Sequence, residues 1–188
     1  MLEISSDDIA RLSDEDLRSL TGQLCEAELR AQGLPASGVI WSGDQNAADG
    51  GIDVRVGTDR TVGGFLPRAN IGFQVKKTDF TPGLIGPEMR PSGDLRPSIA
   101  ALVQQGGAYI IVSSGANTSD SALKVRLDAM RKAVIADDPV GALHLDFYDR
   151  GRLATWVRSH PGLMLWVRKR IGRRGVGVEV IRGMGRFS

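Results

Sequence analysis

The stretches Gly50-Gly51-Ile52-Asp53-Val54-Arg55-Val56 and Ile71-Gly72-Phe73-Gln74-Val75-Lys76-Lys77 decide how this chain folds. Both alternate apolar and polar side chains with a period of two, the pattern of half-buried β-strands. In the first, Ile52, Val54 and Val56 share one face, and Asp53 and Arg55 the other. In the second, Phe73 and Val75 oppose Gln74 and Lys76. Gly57, Gly63, Gly64 and Pro67 between them read as a turn or a long hairpin loop. Pairing of these strands brings Asp53, Gln74 and Lys76 to one side of a sheet whose other side is core. An acid, an amide carbonyl and an amine on a rigid sheet suit metal-assisted hydrolysis.

Upstream, Ser13-Asp14-Glu15-Asp16 has the signature of a helix start, with Ser13 as N-cap and acids in the first turn. The helix is expected to run to about Gln32, with Gly33 as its stop and Pro35 beyond. At 100° per residue, Leu17, Leu20, Leu24, Glu28 and Ala31 fall on one stripe, while Glu26 falls on the wet face. A carboxylate in an apolar stripe needs a partner. Either Glu28 snorkels or pairs with an arginine, or it points into the site beside Asp53 and Lys76. Val39-Ile40-Trp41 is a short strand or a lead into the loop 42–51, whose Asp44 and Asp49 are further carboxylates or turn formers.

Downstream, residues 81–97 hold Pro82, Gly83, Gly86, Pro87, Pro91, Gly93 and Pro97, and read as a long irregular loop. Ser98 to Gln105 reads as a short helix. Ala108 to Val112 is a continuous apolar run, the mark of a strand buried on both faces. A helix from Ser119 to about Ala136, a strand from Leu143 to Tyr148, and helices over 152–159 and 163–171 follow, the last two divided at Pro161-Gly162. Ser113-Ser114 has no histidine in a recognisable setting and reads as a turn. The order α, β, β, α, β, α, β, α predicts an α/β fold of three layers, a central mixed β-sheet flanked by helices.

With 188 residues, the chain is long enough for one domain with a true core. The expected division is an α/β domain over 1–171 and a basic Gly/Arg-rich tail or linker over 172–188, in which Val176 to Ile181 has strand character. No apolar run is long enough to span a bilayer, and the acidic start is unlike a secretory signal. A single cysteine, Cys25, excludes an internal disulfide and a cysteine zinc cluster, and fits a reducing cytoplasm. The net charge of +2 conceals a gradient: residues 1–49 carry ten acids and three bases, and residues 150–188 carry ten bases and one acid. A basic C-terminal region attracts polyanions, or is a solvated basic helix and tail. The sequence holds no Walker A loop and no nucleotide-binding glycine fingerprint.

With those residues in place, the chain resembles the PD-(D/E)xK nuclease superfamily, the restriction-endonuclease-like fold, and within it the Mrr-like branch. The resemblance spans roughly residues 15 to 150 and rests on a helix glutamate (Glu28), then Gly51-Ile52-Asp53, then Gln74-Val75-Lys76. Gln74 stands where the superfamily usually has a second carboxylate, a substitution the Mrr-like branch is known for.

The resemblance implies a metal-dependent endonuclease domain that hydrolyses DNA phosphodiester bonds, an effector of prokaryotic anti-phage defence or restriction. It implies Mg2+, with Mn2+ as a substitute. Asp53 is then the central metal ligand. Gln74 offers its side-chain carbonyl, Val75 its backbone carbonyl, and Glu28 a second or water-mediated ligand. Lys76 orients or activates water, or stabilises the transition-state charge. Phosphate contacts are expected from Arg55, Arg90, Arg96, Arg168, Lys169 and Arg170. Two other readings stand beside it. One is a catalytically inactive nuclease-fold module that binds DNA. The other is an interaction domain whose basic tail meets an acidic protein. Specificity is then expected from a missing domain or a partner; a sensor or regulatory domain C-terminal to this stretch and a homo-oligomer are the further expectations. The hydrolase reading requires Glu28, Asp53, Gln74 and Lys76 to meet in one water-accessible pocket.

Overall fold

Ser13 opens the longest helix by accepting the Asp16 N–H on its hydroxyl at 3.1 Å, which satisfies one of the donors a helix start leaves unpaired. The computed structural model describes residues 3–41 and 50–172. A short helix α1 (Ser6–Ala10), closed by a reciprocal Ser5–Asp8 capping box, precedes α2 (Asp14–Ala31). A 3-10 turn, Ala36–Gly38, leads to β1 (Val39–Trp41), then β2 (Val54–Gly57) and β3 (Asn70–Lys76). Helices α3 (Pro82–Met89) and α4 (Pro97–Gln104) lead to β4 (Ala108–Ser113). Helix α5 (Asp120–Val134) leads to β5 (His144–Asp149), and α6 (Arg150–Arg158) and α7 (Pro161–Gly172) close the described chain.

The five strands lie in the order β1-β2-β3-β4-β5. β1, β2 and β3 pair antiparallel, and β3, β4 and β5 pair parallel. The α/β architecture with a mixed sheet expected from the element order is therefore present. Twelve residues separate each antiparallel pair in sequence, 42–53 and 58–69, whereas the parallel pairs are joined by the helical crossovers α3–α4 and α5.

Both faces of the sheet are covered. Leu17, Leu20 and Leu24 of α2, fully buried, pack with α1, α6 and α7 against Val54, Val56, Ile71, Phe73 and Val75. Burying each such leucine contributes roughly 1.5–3 kcal/mol. Ile85, Met89, Ile99, Leu102 and Met130 of α3, α4 and α5 cover the opposite face. The apolar run of β4 divides between them: Ala108, Ile110 and Val112 face the first layer, Tyr109 and Ile111 the second. On β3, Gly72 is required by space, since a Cβ there would lie 2.5 Å from Ile52 and 2.9 Å from Leu102.

Four expectations need correction. Residues 81–97 are not one irregular loop. Thr81 and Pro82 begin α3, where proline's missing N–H costs nothing, and Pro97 begins α4 in the same way. Pro161-Gly162 form the first turn of α7 rather than a gap before it. The polar side of β3 does not face water, because a second helical layer lies over it and Gln74 is buried. Ile52 packs with the α3–α4 layer, not beside Val54 and Val56, because β2 starts only after Asp53. Asp44, Asp49, the residues 173–188 and the strand expected over 176–181 lie outside the described residues. Among the described residues, no helix is long and apolar enough to cross a membrane.

Candidate active site

Asp53 stands just before β2 and is pinned to β3 twice. Its N–H donates to the Phe73 carbonyl at 2.8 Å, and its Oδ2 accepts the Val75 N–H at 2.7 Å. Oδ1 lies 3.9 Å from Nη1 of Arg18, on α2. Burial pushes the Asp53 carboxyl above its ordinary value, against the opposing pull of the Val75 N–H, Arg18 and Lys76, and Glu88 adds to the upward push. The charges that act on Asp53 thus come from α2 (Arg18), β3 (Lys76) and α3 (Glu88).

Lys76 ends β3, half-exposed, with Nζ 3.7 Å from Oε1 of Glu88. Glu88 comes from α3 and gathers donors on that same oxygen. The Gln74 side-chain amide donates to it, and Nη2 of Arg96 reaches it at 3.1 Å. Nε of Arg96 donates to the Glu88 carbonyl at 2.6 Å, so Arg96 clamps the residue by side chain and backbone together. Behind Gln74, the Tyr109 hydroxyl donates to its carbonyl oxygen. Burial, reinforced by Glu88, pushes the Tyr109 phenol far up, so it remains a donor.

The four-residue meeting that the sequence reading requires is not present: Asp53, Gln74 and Lys76 come together, Glu28 does not join them, and the carboxylate found beside Gln74 and Lys76 is Glu88 of α3. Oε1 of Glu28 accepts the Trp156 indole N–H at 2.8 Å and lies 2.9 Å from Nε2 of His160. Arg18, the α2 residue beside Asp53, lies ten residues earlier, about 15 Å along the axis at 1.5 Å per residue. Glu28 is thus the partnered acid of an apolar stripe, with an indole and an imidazole in place of the arginine considered from sequence. The first turn of α2 does reach the strand end: Asp14 Oδ1 accepts the Lys77 N–H at 2.9 Å.

The other assignments divide similarly. The Gln74 carbonyl is turned inward to Tyr109 rather than toward a ligand. Val75 meets Asp53 through its N–H. Arg90 is a structural tie, with Nη1 at 2.9 Å from the Ala133 carbonyl and 2.5 Å from Asp137, and Nε donating to Gly93. Arg55 is exposed on β2, opposite Gly72 on β3. Arg168 donates to the Glu3 carbonyl, and Lys169 is exposed. Arg170 lies 3.5 Å from Asp16 and over the Trp166 ring. Asp16 belongs to the same turn of α2 as Asp14, so the end of α7 lies at the Asp53–Lys76 end of the molecule.

Sequence reading missed Glu88, Tyr109 and Arg18. Glu88 was hidden in a segment whose prolines and glycines read as loop. The available signal was Ile85 and Met89, four residues apart and both buried, behind a proline at the first helical position. Tyr109 looked like one more apolar residue of a buried strand.

Among the described residues, no group of three or more His, Cys, Asp or Glu side chains is arranged as a metal cage. Magnesium does not require one, since it binds through one or two carboxylates and otherwise keeps water and substrate oxygens. The donor chemistry of Asp53 and Glu88 fits that ion. Both offer hard carboxylate oxygens, and the desolvated Asp53 gains from a nearby cation. Comparison of the chain with protein-family models, with curated proteins and with solved structures finds no match.

Proposed function

We propose that the chain is a magnesium-dependent phosphodiester hydrolase acting on DNA, of the PD-(D/E)xK type that its Asp53 and Gln74-Val75-Lys76 stretches resemble. The supporting observation is that Lys76 lies 3.7 Å from Glu88 of α3 at the end of β3, near a desolvated Asp53 whose carboxyl feels both charges. Asp53 and Glu88 would hold the metal ion, with Glu88 taking the part first given to Glu28. When bound, such an ion neutralises phosphate charge and makes water a nucleophile near neutral pH.

The chain's own residues supply the rest. Val75 holds the Asp53 carboxylate in one orientation through its N–H. Lys76 presents its ammonium to the attacking water and to the charge that gathers on the phosphate oxygens. The water oxygen forms a new bond to phosphorus and a bridging P–O bond breaks. The departing oxygen takes a proton, leaving a phosphomonoester and a hydroxyl. Arg18 and Arg96, which lie beside the two carboxylates, and Lys169 and Arg170 of α7 would meet phosphate oxygens. The same resemblance places such an activity in prokaryotic defence against phage.

One observation favours a second reading, a nuclease-fold module that binds DNA without cutting it. Arg18 sits 3.9 Å from Asp53 Oδ1 and itself supplies a cation there. The two readings part on one titration of a labelled duplex, followed in parallel for binding and strand breaks. The hydrolase reading requires breaks that appear with magnesium and stop with chelator. Salt-sensitive binding without any breaks supports the module.

A further inference from the structure

Gln74 was expected to offer its carbonyl oxygen to a ligand, yet that oxygen accepts a bond from the Tyr109 hydroxyl. An amide has one carbonyl oxygen and one amino group, so fixing the oxygen fixes the amino group on the far side. Here the amino group meets Glu88 Oε1, which also faces Lys76 Nζ at 3.7 Å. A flipped amide would set its carbonyl oxygen against the carboxylate oxygen, acceptor against acceptor. Tyr109 therefore donates to Gln74 and Gln74 donates to Glu88, the carboxylate on which the Lys76 ammonium also converges.

We propose that Tyr109 is a positioning residue for this site: its hydroxyl orients the Gln74 amide, and that amide sets the Glu88 carboxylate against Lys76. Neither Tyr109 nor Gln74 touches the reacting atoms. Gln74 is buried, and Tyr109 lies beneath it on the neighbouring parallel strand. The inference rests on the hydrolase reading for its catalytic consequence and on geometry alone for the relay.

The location of the network supports a catalytic consequence over a merely structural one. Glu88 is held by three side chains from β3 and the α3–α4 connection on a single oxygen, next to the half-exposed Lys76 amine. A core hydrogen bond kept only for stability needs no route to a half-exposed amine. Removing a group one step behind a metal-ligating carboxylate typically costs metal affinity or activity.

Tyr109→Phe removes one oxygen and keeps the ring. In magnesium-dependent cleavage of a DNA duplex, kcat should fall about 10- to 100-fold with KM unchanged, the range for groups that orient a reactive carboxylate. Because the variant leaves a buried carbonyl unpaired, it is paired with Tyr109→Phe/Gln74→Met, which removes both polar partners. The double variant should regain thermal stability and not kcat. Nuclear magnetic resonance gives a readout independent of catalysis. The Lys76 Cε and Glu88 carboxyl resonances should both move in Tyr109→Phe, and the Gln74 side-chain N–H protons should exchange faster with solvent. Wild-type kcat in Tyr109→Phe, or kcat recovered along with stability in the double variant, overturns the proposal. So do unmoved Lys76 and Glu88 resonances. A wild-type protein that cuts no DNA overturns the hydrolase reading and the catalytic consequence, and the resonances still decide the relay.

Discussion

The indole N–H of Trp156 donates to Glu28 Oε1 at 2.8 Å, joining α6 to the last turn of α2 across a buried layer. Trp156 also stacks on Phe65, with centroids 4.8 Å apart, and meets Tyr148 edge to face. The acid that sequence pattern places in an apolar stripe is thus a hinge pin of the helical layer. Glu28→Leu should lower stability by about 1–3 kcal/mol, because it leaves a buried indole donor without a partner. Cleavage per folded molecule should remain within about two-fold of wild type, as for a residue with no transition-state contact. Thermal melts and rates on the same preparation check both halves.

Arg90 carries a similar correction. Its guanidinium bridges Asp137, the Ala133 carbonyl and the Gly93 carbonyl, tying α3 to the end of α5. Arg90→Met should reduce stability by roughly 1–3 kcal/mol through those lost partners. DNA affinity and its salt dependence should stay unchanged, because a group already bound three ways releases no phosphate counterion. Denaturant melts and binding at two salt concentrations test this.

The sequence made the strands legible because their chemistry is periodic. Alternation over 52–56 and 71–77 located β2 and β3, and the unbroken run at Ala108–Val112 located β4. The Ser13 cap and the leucine stripe located α2 to within a residue at each end. Where local propensity and tertiary packing disagree, the pattern failed. α3 carries two prolines and two glycines in eight residues and is helical because Ile85 and Met89 bury against α5 and the sheet. For the site, Asp53 and Lys76 were readable because strand neighbours have fixed geometry. Glu88 and Tyr109 were not, since their approach depends on how α3 lies over the sheet. Glu28 misled because an acid in an apolar stripe announces a partner without saying which one.

Asp138, buried at the α5–β5 turn, makes an acid-sensitive joint. Burial alone would raise its carboxyl, but the Leu143 and Ala142 N–H groups and Arg131 outweigh that and hold it below its ordinary value. A depressed folded value contributes stability that is present above the ordinary carboxylate range and is lost as pH falls through the folded one. Asp138→Ala should therefore cost about 1–3 kcal/mol near neutral pH through its unpaired N–H donors. The gap to wild type should close as pH falls below the ordinary carboxylate range. Calorimetry across that interval checks the direction.

Asp53 has the opposite sign. Its raised carboxyl contributes stability in acid that is lost as pH rises through the folded value. Asp53→Asn should accordingly melt higher than wild type at neutral pH, and the advantage should vanish below the ordinary carboxylate range. Magnesium should reverse the order. An ion bound only to the native protein at 100-fold its dissociation constant adds about 2.7 kcal/mol. Wild type should gain that increment and Asp53→Asn should not. An unmoved wild-type midpoint in magnesium contradicts Asp53 as a ligand.

The most direct test is strand scission of supercoiled plasmid by wild type, Asp53→Ala and Lys76→Ala, each confirmed as folded, with magnesium and with chelator. Nicked or linear product should form with wild type and magnesium alone, and both variants should lose at least about 100-fold in rate, the scale of a lost transition-state charge contact. Scission by either variant at the wild-type rate would contradict the account.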